Sequence, residues 1–159
     1  MRTIKGDLVK LAAIGEFDVI IHGCNCFNTM GAGIAAQIAK KFPAAATVDR
    51  FTTIGDRNKL GNYTIASVLT DYGDPLLIVN AYTQYGYGRL SPAVDYDAVQ
   101  KIFAGVVWNL ARIRHDIRIG IPMIGAGLAG GDWKRINSII EYEMYGIRSD
   151  ILTLVEYDK

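Results

Sequence analysis

Cysteine is nearly absent from this chain: Cys24 and Cys26 are the two residues of that type, separated by one position. Two thiols are too few for a zinc site, and they lie too close together for an ordinary structural disulfide. A reduced, cytoplasmic protein with no metal and no cofactor is therefore expected. Excess charge is missing as well. The 17 Lys and Arg against 16 Asp and Glu give a formal charge of +1. No basic run exceeds a pair such as Lys40-Lys41, so no broad field draws in nucleic acid or a membrane surface. No apolar stretch approaches the length of a membrane span, and the opening MRTIKGDLVK lacks the apolar centre of a signal peptide. With 50% hydrophobic and 21% charged residues, the composition excludes disorder. No repeat, linker or low-complexity segment divides the chain, and a single domain over 1–159, monomeric, is expected.

What the chain does contain is an alternation of strand and helix patterns. Arg2–Lys5 reads as a first strand and Leu8–Ile14 as a short helix or turn. Phe17–His22 is an apolar, β-branched run, hence a strand. Gly33–Lys41 has helical spacing, and Pro43 ends or redirects it ahead of a short helix over Ala44–Phe51. Gly61–Leu69 and Leu76–Tyr82 read as strands across the turn residues Asp71, Gly73, Asp74 and Pro75. Gln84–Ser91 reads as a loop and Val94–Ile113 as a long helix. Ile117–Met123 follows as a buried strand, then Trp133–Tyr145 as a helix and Ile151–Glu156 as a last strand. The alternation predicts an α/β fold, a three-layer α/β/α sandwich around a mixed, largely parallel sheet. In such sheets ligands lie beyond the carboxyl ends of the strands.

Two segments concentrate the functional signal. Ile121–Trp133, IPMIGAGLAGGDW, breaks from strand to a loop with four glycines in Gly125–Gly131 and then to a helix. Ile20–Ile34, IIHGCNCFNTMGAGI, repeats that order. Glycines let backbone amides approach an anion, and a helix N-terminus points further amides at it. One such loop is common; two predict a pocket that grips a diphosphate from both sides.

Individual side chains each admit two readings. Asn25 is a sugar-hydroxyl contact or part of a polar turn. His22 ends a buried strand and is either a satisfied core histidine or a proton shuttle beside the loop. Asp132 is a helix N-cap or a carboxylate that orients or deprotonates water. Asp7 is a turn residue or an acceptor for a base's amino group. Cys24 and Cys26 read best as small buried thiols. Tyr82, Tyr85 and Tyr87 wall a pocket or pack on the sheet, and His115 reads as solvated.

Together these residues resemble the macro domain, an ADP-ribose-binding α/β module. The matching blocks are Ile4-Lys5-Gly6-Asp7-Leu8, Ile20–Ile34, Leu77–Tyr82 and Ile121–Trp133, which span nearly the whole chain. Many macro domains carry an NAAN-type motif in the first loop; His22-Gly23-Cys24-Asn25 stands there instead. That variant, followed by MGAGIA, resembles the branch holding the yeast-type ADP-ribose 1″-phosphate phosphatases and the terminal ADP-ribose protein glycohydrolases. The phosphatase side is the closer.

The resemblance implies roles for matching positions. Asp7, with Leu8 beside it, falls at the adenine, and Asn25 at the distal ribose. Gly31, Ala32, Gly33 and Ile34 form one diphosphate loop; Gly125, Ala126, Gly127, Leu128, Ala129 and Gly130 form the other. His22 matches the histidine implicated in the phosphatases, and Asp132 is added here as a second catalytic candidate. The glycohydrolases of the branch use a lysine after the middle strand and an aspartate in the second loop. This chain has no lysine between Leu60 and Gln100, and Ala129 stands where the aspartate would be. The expected function is hydrolysis of ADP-ribose 1″-phosphate to ADP-ribose and phosphate. A non-catalytic reader of ADP-ribose, or a hydrolase acting on ADP-ribosylated protein or nucleic acid, is the competing expectation. Nucleic acid enters only as such a substrate.

Overall fold

The computed structural model describes residues 1–87 and 93–158. Its centre is a six-stranded sheet of β1 (Arg2–Gly6), β2 (Val19–Cys24), β3 (Tyr63–Leu69), β4 (Pro75–Tyr82), β5 (Ile119–Ile121) and β6 (Leu152–Tyr157), in the order β1-β6-β5-β2-β4-β3. All neighbours run parallel except β3 and β4, which are antiparallel. Helices α1 (Leu8–Ala13), α2 (Gly33–Lys41), α3 (Pro43–Arg50), α4 (Tyr96–Ile102), α5 (Trp108–Ile113) and α6 (Trp133–Glu143) cover the two faces.

The alternation of side chains along β2 builds both cores. Val19 and Ile21 point to one face, where they meet Val79, Val99, Phe103, Ile136 and Ile140 beneath α4 and α6. Ile20 points to the other and packs with Ile78, Leu8, Ala12, Ile38 and Ala45 beneath α1, α2 and α3. Burying a side chain of this size stabilises by about 1.5–3 kcal/mol. Gly120 in β5 is where this second layer comes closest: a Cβ there would stand 2.8 Å from the Phe17 ring and 2.9 Å from Leu8 Cδ1. The expected three-layer α/β/α sandwich with a mixed, largely parallel sheet is the fold observed.

Several boundaries differ from expectation for identifiable reasons. The strand expected over Ile117–Met123 pairs only at Ile119–Ile121, because Pro122 has no N–H for the ladder. Pro43 begins a helix, occupying its first turn, where a missing N–H costs nothing. A 3-10 turn at Arg57–Lys59, capped by Asp56, precedes β3. The expected Val94–Ile113 helix runs from Tyr96 to Ile113 through a π turn at Phe103–Val107. Of the expected Gln84–Ser91 loop, 88–91 lie outside the described residues. Among the described residues no helix is long and apolar enough to cross a membrane.

Candidate functional site

Because β2 and β5 are adjacent and parallel, the loops that leave their carboxyl ends emerge side by side. Loop one follows β2 into α2; loop two follows β5 into α6. They touch. A Cβ placed on Gly33 would stand 3.2 Å from Leu128 Cδ1, and Gly33 has a φ of +58°, so glycine serves there on both counts. The space above Gly31 and Gly127 is open. Helix α2 begins at Gly33 after Ala32, a cap with no side-chain acceptor to occupy the first amides. Loop two closes on itself through Gly130 N–H to Gly127 O and Gly131 N–H to Gly125 O, at 3.0 and 2.7 Å. The N–H groups of Gly127, Leu128 and Ala129 find no acceptor among the described residues. Two sets of amides thus flank one cleft, an arrangement that suits an anion.

The polar candidates at the rim are held by their own backbone. Asn25 accepts from Phe27 N–H at 2.8 Å and donates to the Thr29 hydroxyl and carbonyl at 2.8 and 3.1 Å, so its carboxamide staples loop one. Asp7 caps α1 by accepting from Lys10 N–H at 3.1 Å, beside the buried Leu8. Asp132 caps α6 by accepting from Lys134 N–H at 3.0 Å, and its own N–H donates to the Tyr96 hydroxyl at 3.0 Å. Both carboxylates keep accessible surface.

His22 is placed differently. It points from β2 to the face covered by α3 and has no exposed surface. Its Nε2 lies 2.7 Å from Asn80 Oδ1 on the neighbouring strand. The Asn80 amide nitrogen donates to Ala45 O at 3.0 Å and to the Thr64 hydroxyl at 3.2 Å. That fixes the carboxamide oxygen toward His22, so Nε2–H is the donor and Nδ1 is left as acceptor. Cys24 Sγ lies 3.8 Å from that Nδ1 and 3.7 Å from Nε2, so it favours neither nitrogen. Burial lowers the imidazole pKa from 6.5 to about 4, against an opposing effect of the Asn80 bond. The ring is neutral near pH 7. No hydrogen bond joins His22 to Asp132 among the described residues. Burial also raises the pKa of Cys24 and Cys26 above the ordinary thiol value, so neither is poised as a nucleophile. Tyr82 lies buried in the same layer and donates to Asp49 Oδ1 at 2.8 Å.

Two neighbours of loop one, Lys59 and Arg57, were not among the residues singled out from the sequence. Lys59 is buried and donates to Cys26 O at 3.0 Å and to Asn28 Oδ1. Arg57 lies 3.9 Å over the Tyr85 ring, and Tyr85 packs edge-on to Phe27 at 5.0 Å. A charged residue in a polar stretch carries no periodic signal of burial, so Lys59 could not be singled out. A concavity of about 370 Å³ lies at the amino ends of β2 and β4 between Asp18, Pro75, Arg114 and Arg118. It is at the opposite end of the sheet from both loops, and the Arg118 guanidinium there is engaged with Asp18 at 3.0 Å.

No family model matches the chain. It is 37% identical over 144 residues to an uncharacterized 17.5 kDa protein of Enterobacteria phage T4, covering 89% of this chain and 88% of that protein. Over 151 residues it is 28% identical to an ADP-ribose 1″-phosphate phosphatase of Candida albicans, covering 87% of this chain and 90% of that one. The macrodomain of Thermus aquaticus DarG shares the fold with a TM-score of 0.72 at 19% identity, over 99% of this chain and 97% of that one. With paired loops at the carboxyl ends of a mixed six-stranded sheet, the chain has the macrodomain fold.

Proposed function

We propose that this macro domain binds ADP-ribose across the cleft between loop one and loop two and releases phosphate from ADP-ribose 1″-phosphate. The observation that carries the reading is the contact of the two loops at Gly33 and Leu128, which sets two groups of backbone amides on either side of one space. In this reading Gly31–Ile34 and Gly125–Gly130 hold the diphosphate, Asp7 accepts from the adenine amino group, and the Asn25 end of loop one faces the distal ribose. The 28% identity to the Candida phosphatase over 87% of the chain supports the choice of reaction.

The chemistry is hydrolysis of a phosphate monoester. Water adds to phosphorus, the bond from phosphorus to the 1″ oxygen breaks, and that oxygen takes up a proton. Asp132, accessible at the end of loop two, is assigned to orient the water. His22, neutral and sealed beneath the cleft, is assigned to act through position: it holds the end of β2 from which Asn25 departs. A buried imidazole with a pKa near 4 is a weak base at neutral pH. Phosphate release from ADP-ribose 1″-phosphate tests the reading, with ADP-ribosylated protein and ADP-ribosylated nucleic acid assayed in parallel. Turnover of the first substrate alone is expected. Binding without turnover of any would make the chain a reader, and turnover of only the others would replace the phosphatase assignment.

A further inference from the structure

We propose that Lys59 is a positioning residue for the ribose end of the cleft, setting the Cys26–Asn28 segment of loop one by charge from beneath. The inference rests on the ADP-ribose reading above. Lys59 ends the 3-10 turn before β3 and is 8% exposed. Burying an ammonium is costly unless its protons are used. Here two of them serve loop one: one goes to the Cys26 carbonyl at 3.0 Å and one to Asn28 Oδ1. The ammonium also lies 4.8 Å from the centre of the Tyr82 ring, a favourable placement for a cation. The hydroxyl of that same tyrosine donates to the buried Asp49 carboxylate, so opposite charges sit at the face and the edge of one ring.

The acceptors show what Lys59 controls. Asn28 is the one non-glycine residue with positive φ among the described residues, at 58°, a conformation that needs support from its surroundings. Its carboxamide is gripped from three sides. Nδ2 donates to Thr52 O at 2.7 Å, while Oδ1 accepts from Lys59 and lies 3.0 Å from the Thr52 hydroxyl, whose one hydrogen is shared with Asp49 O at 2.6 Å. The Cys26 carbonyl accepts from Gly55 N–H at 2.7 Å as well as from Lys59. These contacts anchor loop one between Asn25 and the glycines that open α2. Lys59 itself has little surface for a ligand, so its influence runs through the loop.

The test is calorimetric titration of wild type, Lys59→Met and Asn28→Gly with ADP-ribose and, separately, with ADP, which lacks the distal ribose. Lys59→Met keeps the stem and removes the charge. Asn28→Gly tolerates the positive φ and removes the acceptor. Circular dichroism checks that each folds. For each folded variant the expected result is an ADP-ribose affinity weakened about tenfold or more, with ADP affinity changed by less than about twofold. A structural role alone would lower the melting temperature and leave that difference between ligands unchanged. Equal affinity to wild type, or equal losses for both ligands, overturns the proposal. If Lys59→Met does not fold, Asn28→Gly decides on the same criterion. Wild type that fails to bind ADP-ribose removes the underlying reading itself, an outcome visible before either variant is compared.

Discussion

The Asn80 carboxamide oxygen lies 2.7 Å from His22 Nε2, across adjacent parallel strands and with no water-accessible surface on either residue. The amide nitrogen of Asn80 is spent on Ala45 and Thr64. Imidazole orientation, tautomer and charge state thus follow from the packing of β2, β3, β4 and α3.

This pair predicts a specific acid sensitivity. The folded pKa of about 4 lies below the ordinary 6.5 because burial opposes the charged ring. Above 6.5 neither folded nor unfolded chain holds the proton, and His22 leaves stability independent of pH. Between 6.5 and 4 the unfolded chain takes it up and the native chain does not, so stability falls as pH falls. The loss is on the order of 3 kcal/mol by pH 4. Asp18 acts lower: burial alone would raise its pKa, but hydrogen bonds and charge from Arg118 bring it below 3.8. Urea unfolding of wild type and His22→Asn from pH 7 to pH 5 is the check. Wild type should lose stability over that interval and the variant should lose much less; parallel curves would remove His22 as the source.

Loop two offers a cleaner probe of anion binding than loop one. Gly33 has positive φ and touches Leu128, so any side chain there strains the backbone, whereas the space around Gly127 is open. Gly127→Glu should keep the wild-type melting temperature and abolish ADP-ribose binding, since a carboxylate would occupy the diphosphate's space and repel it. A folded Gly127→Glu protein with wild-type affinity would show that loop two does not hold phosphate.

Asp7 combines capping with the assigned adenine contact, and serine separates them. Serine caps a helix about as well as aspartate, so Asp7→Ser should change stability by less than about 1 kcal/mol. It should weaken ADP-ribose by about 1.5–3 kcal/mol through loss of a hydrogen bond to a charged acceptor. Unchanged affinity in calorimetry would reduce Asp7 to a cap.

Asp132→Asn retains an oxygen for the Lys134 amide and loses the negative charge. Phosphate release per folded molecule should fall by about 10²-fold or more, with ADP-ribose affinity close to wild type. Turnover at the wild-type rate would confine Asp132 to capping.

The layers of the fold were legible where periodicity is strong. The apolar run ending at His22 and the helical spacing after Trp133 became β2 and α6. The two glycine loops were legible because glycine clusters after an apolar run carry their own signal. The 3-10 turn at Arg57–Lys59 was not, since a short polar turn has no period. Nor was the group that satisfies His22, although the sequence already placed that residue at the end of a buried strand. Its partner Asn80 is 58 residues away, and only the pairing of β2 with β4 brings the two together. The dual use of Asn25, Asp7 and Asp132 as local caps and staples follows from loop geometry, which residue type alone leaves open.

Every binding prediction depends on the cleft between loop one and loop two taking ADP-ribose. Calorimetric titration of the full chain with ADP-ribose, set against AMP and a guanine-containing analogue, tests it most directly. Saturable binding of ADP-ribose at one site, tighter than that of either comparison ligand, is expected. No heat of binding with ADP-ribose at millimolar concentration would contradict it.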